Sequence, residues 1–441
     1  MKFVPFIVIL IWIGIVGCKP KQAVFIPVEH PEWCKNSIIY EVNVRQFTPD
    51  GTFKSMQAHL PRLKELGVDI LWFMPIHKIG VEDRKGKLGS YYSVQDYTSI
   101  NPEFGTMKDF KAAVDEAHRL GFKVIIDWVA NHTSRDAVWI KEHPDWYVHD
   151  STGRIVGPYD WTDVAKLNYG NANMRKAMID AMEYWLVNAN IDGFRCDVAG
   201  EVPTDFWNNA RMQLQKIKPV FMLAEWENPA LLKYAFDMDY AWELHRIMNQ
   251  IAQGKLNVNT LVRYYKKQDT LYSANDIRMI FTSNHDENSW NGTEFERMGE
   301  AARTFAAYSY ITPGMPLIYN GQEVALNKRL AFFTKDTITW TENVTYTNLY
   351  KKLNALKHDN SALWNGNYGG TFQYSADSLK NVITITRTKD ASTVVGIFNL
   401  SSKATTAKTP TFAAEDYITG DAYEPNKVIS LKPWQFLIFK K

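Results

Sequence analysis

The sequence predicts an α/β protein: a (β/α)8 TIM barrel with an insertion after the third strand and a C-terminal all-β sandwich domain. Three observations carry this expectation. Eight short apolar runs alternate with longer stretches of helical periodicity. The runs lack the in–out alternation of half-exposed strands, as expected of parallel strands covered on both faces. Beyond about residue 363 the helical pattern stops, leaving β-rich runs separated by Gly, Asp, Ser and Thr turns.

Taken in chain order, Lys2 precedes an apolar run, Phe3 to Val16, too short for a comfortable membrane span. It ends Ile15-Val16-Gly17-Cys18, which resembles a bacterial lipobox. Residues 1–17 are therefore read as a lipoprotein signal peptide, with Cys18 lipid-modified and residues 18–36 as a tether. The expectation is an exported protein, lipid-anchored to a bacterial membrane in the periplasm or at the cell surface. Cys34 and Cys196 are read as free thiols, and no Cys or His spacing suggests zinc. A formal charge of +2 over 441 residues gives no polybasic patch, which argues against a nucleic-acid partner. Aromatic content of 14%, with 15 Trp and 22 Tyr, suits either a large core or stacking on sugars.

The barrel is expected over residues 37–362. Its strands are read at Ile38–Val42, Val68–Met74, Phe122–Trp128, Ile191–Asp197, Val220–Glu225, Ala235–Tyr240, Ile277–Ser283 and Met315–Asn320. A helix from Met107 to Leu120 sets Phe110, Ala113, Val114 and Ala117 on one stripe and stops at Gly121. A second, from about Asn173 to Ala189, aligns Met174, Met178, Ala181, Met182 and Trp185. Between the third and fourth strands, residues of about 133–171 form an insertion with Trp139, Trp146, Tyr147, Tyr159 and Trp161. A connection that long is usually functional. Residues 363–441 form the C-terminal β-domain.

Chemistry in such barrels sits at the C-terminal ends of the strands. Strand three ends at Asp127 and leads into Asn131-His132. Strand four ends Arg195-Cys196-Asp197, strand five at Glu225, and strand seven runs into His285-Asp286. Acids from four strands thus converge on one face. Two facing carboxylates have a specific use: one stays protonated and gives its proton, the other stays ionised and attacks. Arg195, two residues from Asp197 on the same face, is expected to hold Asp197 ionised. Glu225, between Ala224 and Trp226, has the drier surroundings that raise a carboxyl pKa.

These blocks resemble the α-amylase family, glycoside hydrolase family 13. Asp127-Trp128-Val129-Ala130-Asn131-His132, Gly193-Phe194-Arg195-Cys196-Asp197, the strand ending at Glu225, and Phe281 to Asp286 match four signature blocks in order. Lys166-Leu167-Asn168 resembles a fifth, and Gly89 to Tyr97 is similar to a sugar-stacking loop. The resemblance implies a retaining mechanism: Asp197 as nucleophile, Glu225 as acid and then base, Asp286 steadying the distorted ring. It further implies that His132 and His285 bind hydroxyls of the same sugar, that Tyr92 stacks beneath it, and that Asp127 supports Arg195.

The family also suggests a calcium ion between barrel and insertion, with Asn131 as one ligand and Glu201, Asp160 or Asp163 as further oxygen donors. No organic cofactor is implied. The fifth block is more similar to neopullulanases and cyclomaltodextrinases, and Val198 after the nucleophile resembles members that accept α-1,6 bonds. The function expected is hydrolysis of α-1,4 glucosidic bonds in starch-derived oligo- or polysaccharides, with α-1,6 bonds open. The alternatives are a transglycosylase of the same family and a non-catalytic glucan-binding protein.

Overall fold

The computed structural model describes residues 25–341 and 343–441. The expected signal peptide and Cys18 lie outside the described residues. Among those described, no helix is long and apolar enough to cross a membrane.

All eight expected strands form, and they close into one parallel barrel. They are β1 (Ile39–Val42), β2 (Ile70–Phe73), β3 (Lys123–Trp128), β4 (Gly193–Cys196), β5 (Phe221–Ala224), β6 (Met238–Tyr240), β7 (Ile277–Ile280) and β8 (Met315–Tyr319). Spatial order follows chain order, β8 pairing back onto β1 with Leu317 opposite Ile39. Most end one to three residues before the sequence reading places them, so Asp197 and Glu225 stand just past the ladders, where backbone direction is free to change. One approach fixes residue type: a Cβ on Gly193, which has φ +158°, would lie 1.9 Å from the Phe221 carbonyl oxygen.

Side chains fill the barrel interior. Ile39, Ile70, Trp72, Ile125, Leu223, Met279 and Leu317 form one buried cluster. Each such side chain contributes about 1.5–3 kcal/mol by leaving water. The floor is closed by residues read from sequence as tether. Cys34 is buried among the interior residues, and Trp33 packs on Phe221 with ring centroids 5.5 Å apart. His30 adds a bond to Asp237 at 3.0 Å. The segment from 25 to 36 is therefore folded against the barrel base rather than free of it. Both remaining cysteines are free and buried.

The helices form where the periodicity places them. α1 (Met107–Arg119) opens on a capping box between Thr106 and Asp109, and α2 (Ala172–Ala189) on the Asn171 side chain. The insertion contains a short hairpin pairing His132 with Lys166, which ties its far end back to β3. In the C-terminal domain, β9 (Thr371–Asp377), β10 (Val382–Lys389), β11 (Ser392–Asn399) and β14 (Phe436–Lys440) form one antiparallel sheet. A two-stranded sheet of β12 (Thr405–Lys408) and β13 (Val428–Leu431) covers it, with Ile397, Leu431, Leu437 and Phe439 buried between them. The run expected as one strand from Val428 to Phe439 is thus two strands, split at Lys432-Pro433 because proline cannot continue a ladder.

Candidate active site

At the C-terminal mouth of the barrel lies a cavity of about 540 Å3, lined by Tyr92, His132, Asp197, Glu225, His285 and Asp286 among others. Six of the seven residues assigned to catalysis or sugar binding from sequence therefore meet in one space. Arg195, the seventh, is fully buried beneath them.

Arg195 organises the floor. Its Nη1 donates to Asp127 Oδ1 and to Asp197 Oδ1, each at 2.9 Å. Its Nη2 lies 2.9 Å from Glu225 Oε1, an ion pair without an aligned hydrogen bond. The guanidinium is walled by aromatic rings, Trp72 at 5.1 Å and Tyr92 and Tyr240 at 5.7 Å from their centroids. The expected pairing with Asp197 is present, but one arginine bridges three carboxylates. Glu225 is buried, as its dry surroundings predict, and it also has polar partners: Arg195 faces one oxygen and the Val198 N–H donates to the other at 2.8 Å.

Burial separates the two central acids. It pushes Glu225 up to about 8, with Asp197 and Asp286 adding to the shift and Arg195 opposing it. It raises Asp197 only to about 6, again against Arg195. At neutral pH these shifts favour a protonated Glu225 and an ionised Asp197, two acids in different protonation states on one shared cation.

The histidines also differ. Burial lowers His132 to about 3, so it is neutral, and its ring lies edge-on to Trp161 at 5.4 Å. Burial alone would lower His285 too, but Asp286 and Glu41 outweigh it and hold it up to about 9. His285 Nδ1 faces Glu41, and its Nε2 lies 2.7 Å from the Tyr92 hydroxyl and 3.3 Å from Asp286 Oδ2. Tyr92 in turn donates to Asp127 Oδ2 at 3.0 Å, so its ring is fixed on two sides, stacked at 5.4 Å on His285. Asp286, with its side chain 36% exposed, stands at the opening.

Sequence reasoning missed several contributors. Glu41, inside β1, is a fully buried acid in an apolar run, which is a readable signal. Val198 has φ +36°, a left-handed conformation that a β-branched side chain rarely adopts, and this turn aims its N–H at Glu225. Next to it, a Cβ on Gly200 would strike the Trp226 ring at 2.2 Å. Lys85, from the loop before the insertion, meets Asp163 at 3.0 Å, and both line the cavity. Phe332 and Phe333 reach it from the loop after β8, with no sequence signal to mark them.

A calcium site does not fit the residues suggested for it. Glu201 accepts the Tyr159 hydroxyl at 2.6 Å and faces the Lys166 ammonium at 3.9 Å. Asp163 is taken by Lys85. Asn131 is buried with its Nδ2 3.4 Å from His132 Nδ1, and Asp160 is exposed. Among the described residues no three His, Cys, Asp or Glu side chains converge as a metal cluster would require. Two lysines stand where a divalent cation would need its carboxylates free.

A closed (β/α)8 barrel with paired carboxylates in a cavity at its C-terminal mouth is the make-up of a glycoside hydrolase. A family model described as the α-amylase catalytic domain matches residues 33–378, and the chain belongs to the α-amylase family. An α-amylase from Lactobacillus plantarum is 33% identical with a TM-score of 0.84, covering 92% of this chain and 99% of that one. The maltogenic α-amylase AmyB of Thermotoga neapolitana is 30% identical with a TM-score of 0.83, covering 92% and 98%. The α-amylase MalA of Haloarcula japonica is 26% identical over 87% of this chain, which spans 58% of that relative's length.

Proposed function

We propose that this protein is a retaining α-glucan hydrolase that cleaves α-1,4 glucosidic bonds, and α-1,6 bonds where Val198 admits them, in starch-derived oligo- or polysaccharides. The observation that carries the reading is the bridging of Asp197 and Glu225 by one guanidinium. Two carboxylates on neighbouring nitrogens of the same group are held close. An inverting enzyme needs about 6.5–9.5 Å between them to seat a water, whereas a retaining one needs about 5–5.5 Å.

In this mechanism Asp197, ionised, attacks the anomeric carbon while Glu225 gives its proton to the leaving oxygen. The bond from carbon to the leaving oxygen breaks as the bond to Asp197 Oδ forms. Glu225, now a carboxylate, takes a proton from water, whose oxygen displaces Asp197 and restores both groups. Arg195 steadies whichever of the two carries charge at each stage. Asp286 and protonated His285 bind hydroxyls of the reacting sugar, neutral His132 binds another, and Tyr92 supplies the ring against which the sugar stacks. Export and anchoring through Cys18 belong to the same reading and place the enzyme where extracellular glucans are met.

The test compares sugar release from malto-oligosaccharides, pullulan and isomalto-oligosaccharides, with Asp197→Asn alongside. Release from α-1,4 substrates that disappears in the variant supports the proposal. No release, with both proteins still binding glucan, overturns it in favour of a binding protein.

A further inference from the structure

A second cavity, of about 610 Å3, lies between the barrel and the C-terminal sheet. Its wall includes Arg278, at the start of β7, and Thr312 to Gly314, just before β8. It therefore sits at the N-terminal end of the barrel, away from the catalytic mouth.

Two arginines line it, and they differ in one respect. Arg278 is neutralised by Asp239 and by Glu227, the latter at 2.6 Å. Arg387, from β10, is 2% exposed and has no carboxylate within 4.0 Å among the described residues. Its guanidinium meets only carbonyl oxygens, those of Ile311 at 3.3 Å and Gly370 at 3.5 Å, and its Nε has no partner. Nearby, buried Lys357 donates to the carbonyls of Gly314 and Leu363 at 3.0 and 2.7 Å, also without a carboxylate. Burial first, and then the charge of Arg387, pull that ammonium well below its ordinary range. Buried charge without a counter-charge is expensive, and a guanidinium is shaped to take two oxygens of one anion.

We propose that this cavity is an oxyanion site, in which the Arg387 guanidinium holds a phosphate group, free or carried on a sugar. Trp364 and Phe372 give the cavity flat apolar walls of the kind a sugar ring packs against. Asp269 and Asp276 also line the cavity, and in this proposal they accept hydroxyls of the sugar while the anion lies on the Arg387 side. Such a site bridges the two domains and ties the fit of the C-terminal sheet on the barrel to anion binding.

The experiment is thermal unfolding of the whole chain at constant ionic strength, titrated with inorganic phosphate and, separately, with glucose 1-phosphate. A saturable rise of about 3 °C near a hundredfold excess over half-saturation is expected. Equal half-saturation for the two ligands assigns the site to the free oxyanion, and a tenfold lower value for glucose 1-phosphate assigns it to a sugar phosphate. Arg387→Gln should lose the response while its glucan hydrolysis stays within twofold of wild type. Should Arg387→Gln fail to fold, Thr312→Asp places a carboxylate beside the Ile311 carbonyl and keeps an acceptor for Tyr265. That variant should unfold at a higher temperature than wild type and no longer respond to phosphate. No saturable shift with either ligand, or an equal shift in Arg387→Gln or Thr312→Asp, overturns the proposal.

Discussion

Asp197 Oδ1 and Glu225 Oε1 each lie 2.9 Å from a nitrogen of the Arg195 guanidinium, Nη1 for the first and Nη2 for the second. Lysine has three N–H donors but only one nitrogen, a point charge on a flexible stem, and cannot set two nitrogens in a fixed plane against both acids. Arg195→Lys should therefore lower kcat by about 10²–10⁴-fold, the range in which misaligned acid–base groups fall. Arg195 also lowers the pKa of both acids, so a weaker or displaced charge should move the acid limb of the pH profile upward. Steady-state kinetics across pH on folded variant protein measures both effects.

The proposed mechanism needs Asp197 ionised and Glu225 protonated. With Asp197 near 6 and Glu225 near 8, kcat/KM should fall below about pH 6 as the nucleophile gains a proton. It should fall again above about pH 8 as the donor loses one. The two limbs belong to the Asp127–Arg195–Asp197–Glu225 cluster as a whole, because each charge is felt by the others. A pH–rate profile on a malto-oligosaccharide checks the bell shape and its width.

Val198 carries a left-handed backbone at φ +36°. Glycine adopts that conformation without the cost of about 1–3 kcal/mol that falls on a β-branched residue. Val198→Gly should leave the unfolding temperature equal or higher, since the strain relieved exceeds or matches the entropy added to the unfolded chain. The N–H to Glu225 remains, so hydrolysis of α-1,4 bonds should persist. Loss of the side chain from the cavity wall should change the ratio of α-1,6 to α-1,4 products from pullulan.

The lysines among the acids suggested for calcium make a further forecast. Because Lys166 faces Glu201 and Lys85 holds Asp163, exhaustive treatment with EDTA should change neither kcat nor unfolding temperature by a measurable amount. Loss of activity that calcium restores would show that the insertion rearranges to make a site.

Much of this was legible in the residues because barrel strands and their terminal acids are encoded locally. Each strand is a short apolar run, and Asp127, Asp197, Glu225 and Asp286 are read simply by following runs to their ends. What was not legible depends on chain segments brought from far away. Nothing near Arg195 in sequence says that Glu225, thirty residues on, reaches its second nitrogen. Phe332 enters the cavity from a loop without periodicity, and Trp33 and Cys34 close the barrel floor from a stretch read as a tether. The strain at Val198 was hidden for a different reason: valine is a poor predictor of a left-handed turn, and tertiary contacts impose it there.

The account stands most directly on the stereochemistry of the first product. Proton NMR of a malto-oligosaccharide digest, recorded within the first minutes before mutarotation, reports the anomer released. Attack by Asp197 followed by water from the Glu225 side predicts the α-anomer, with the signal absent in Asp197→Asn. Initial release of the β-anomer would mean that water attacks directly, and would contradict the roles given to both residues.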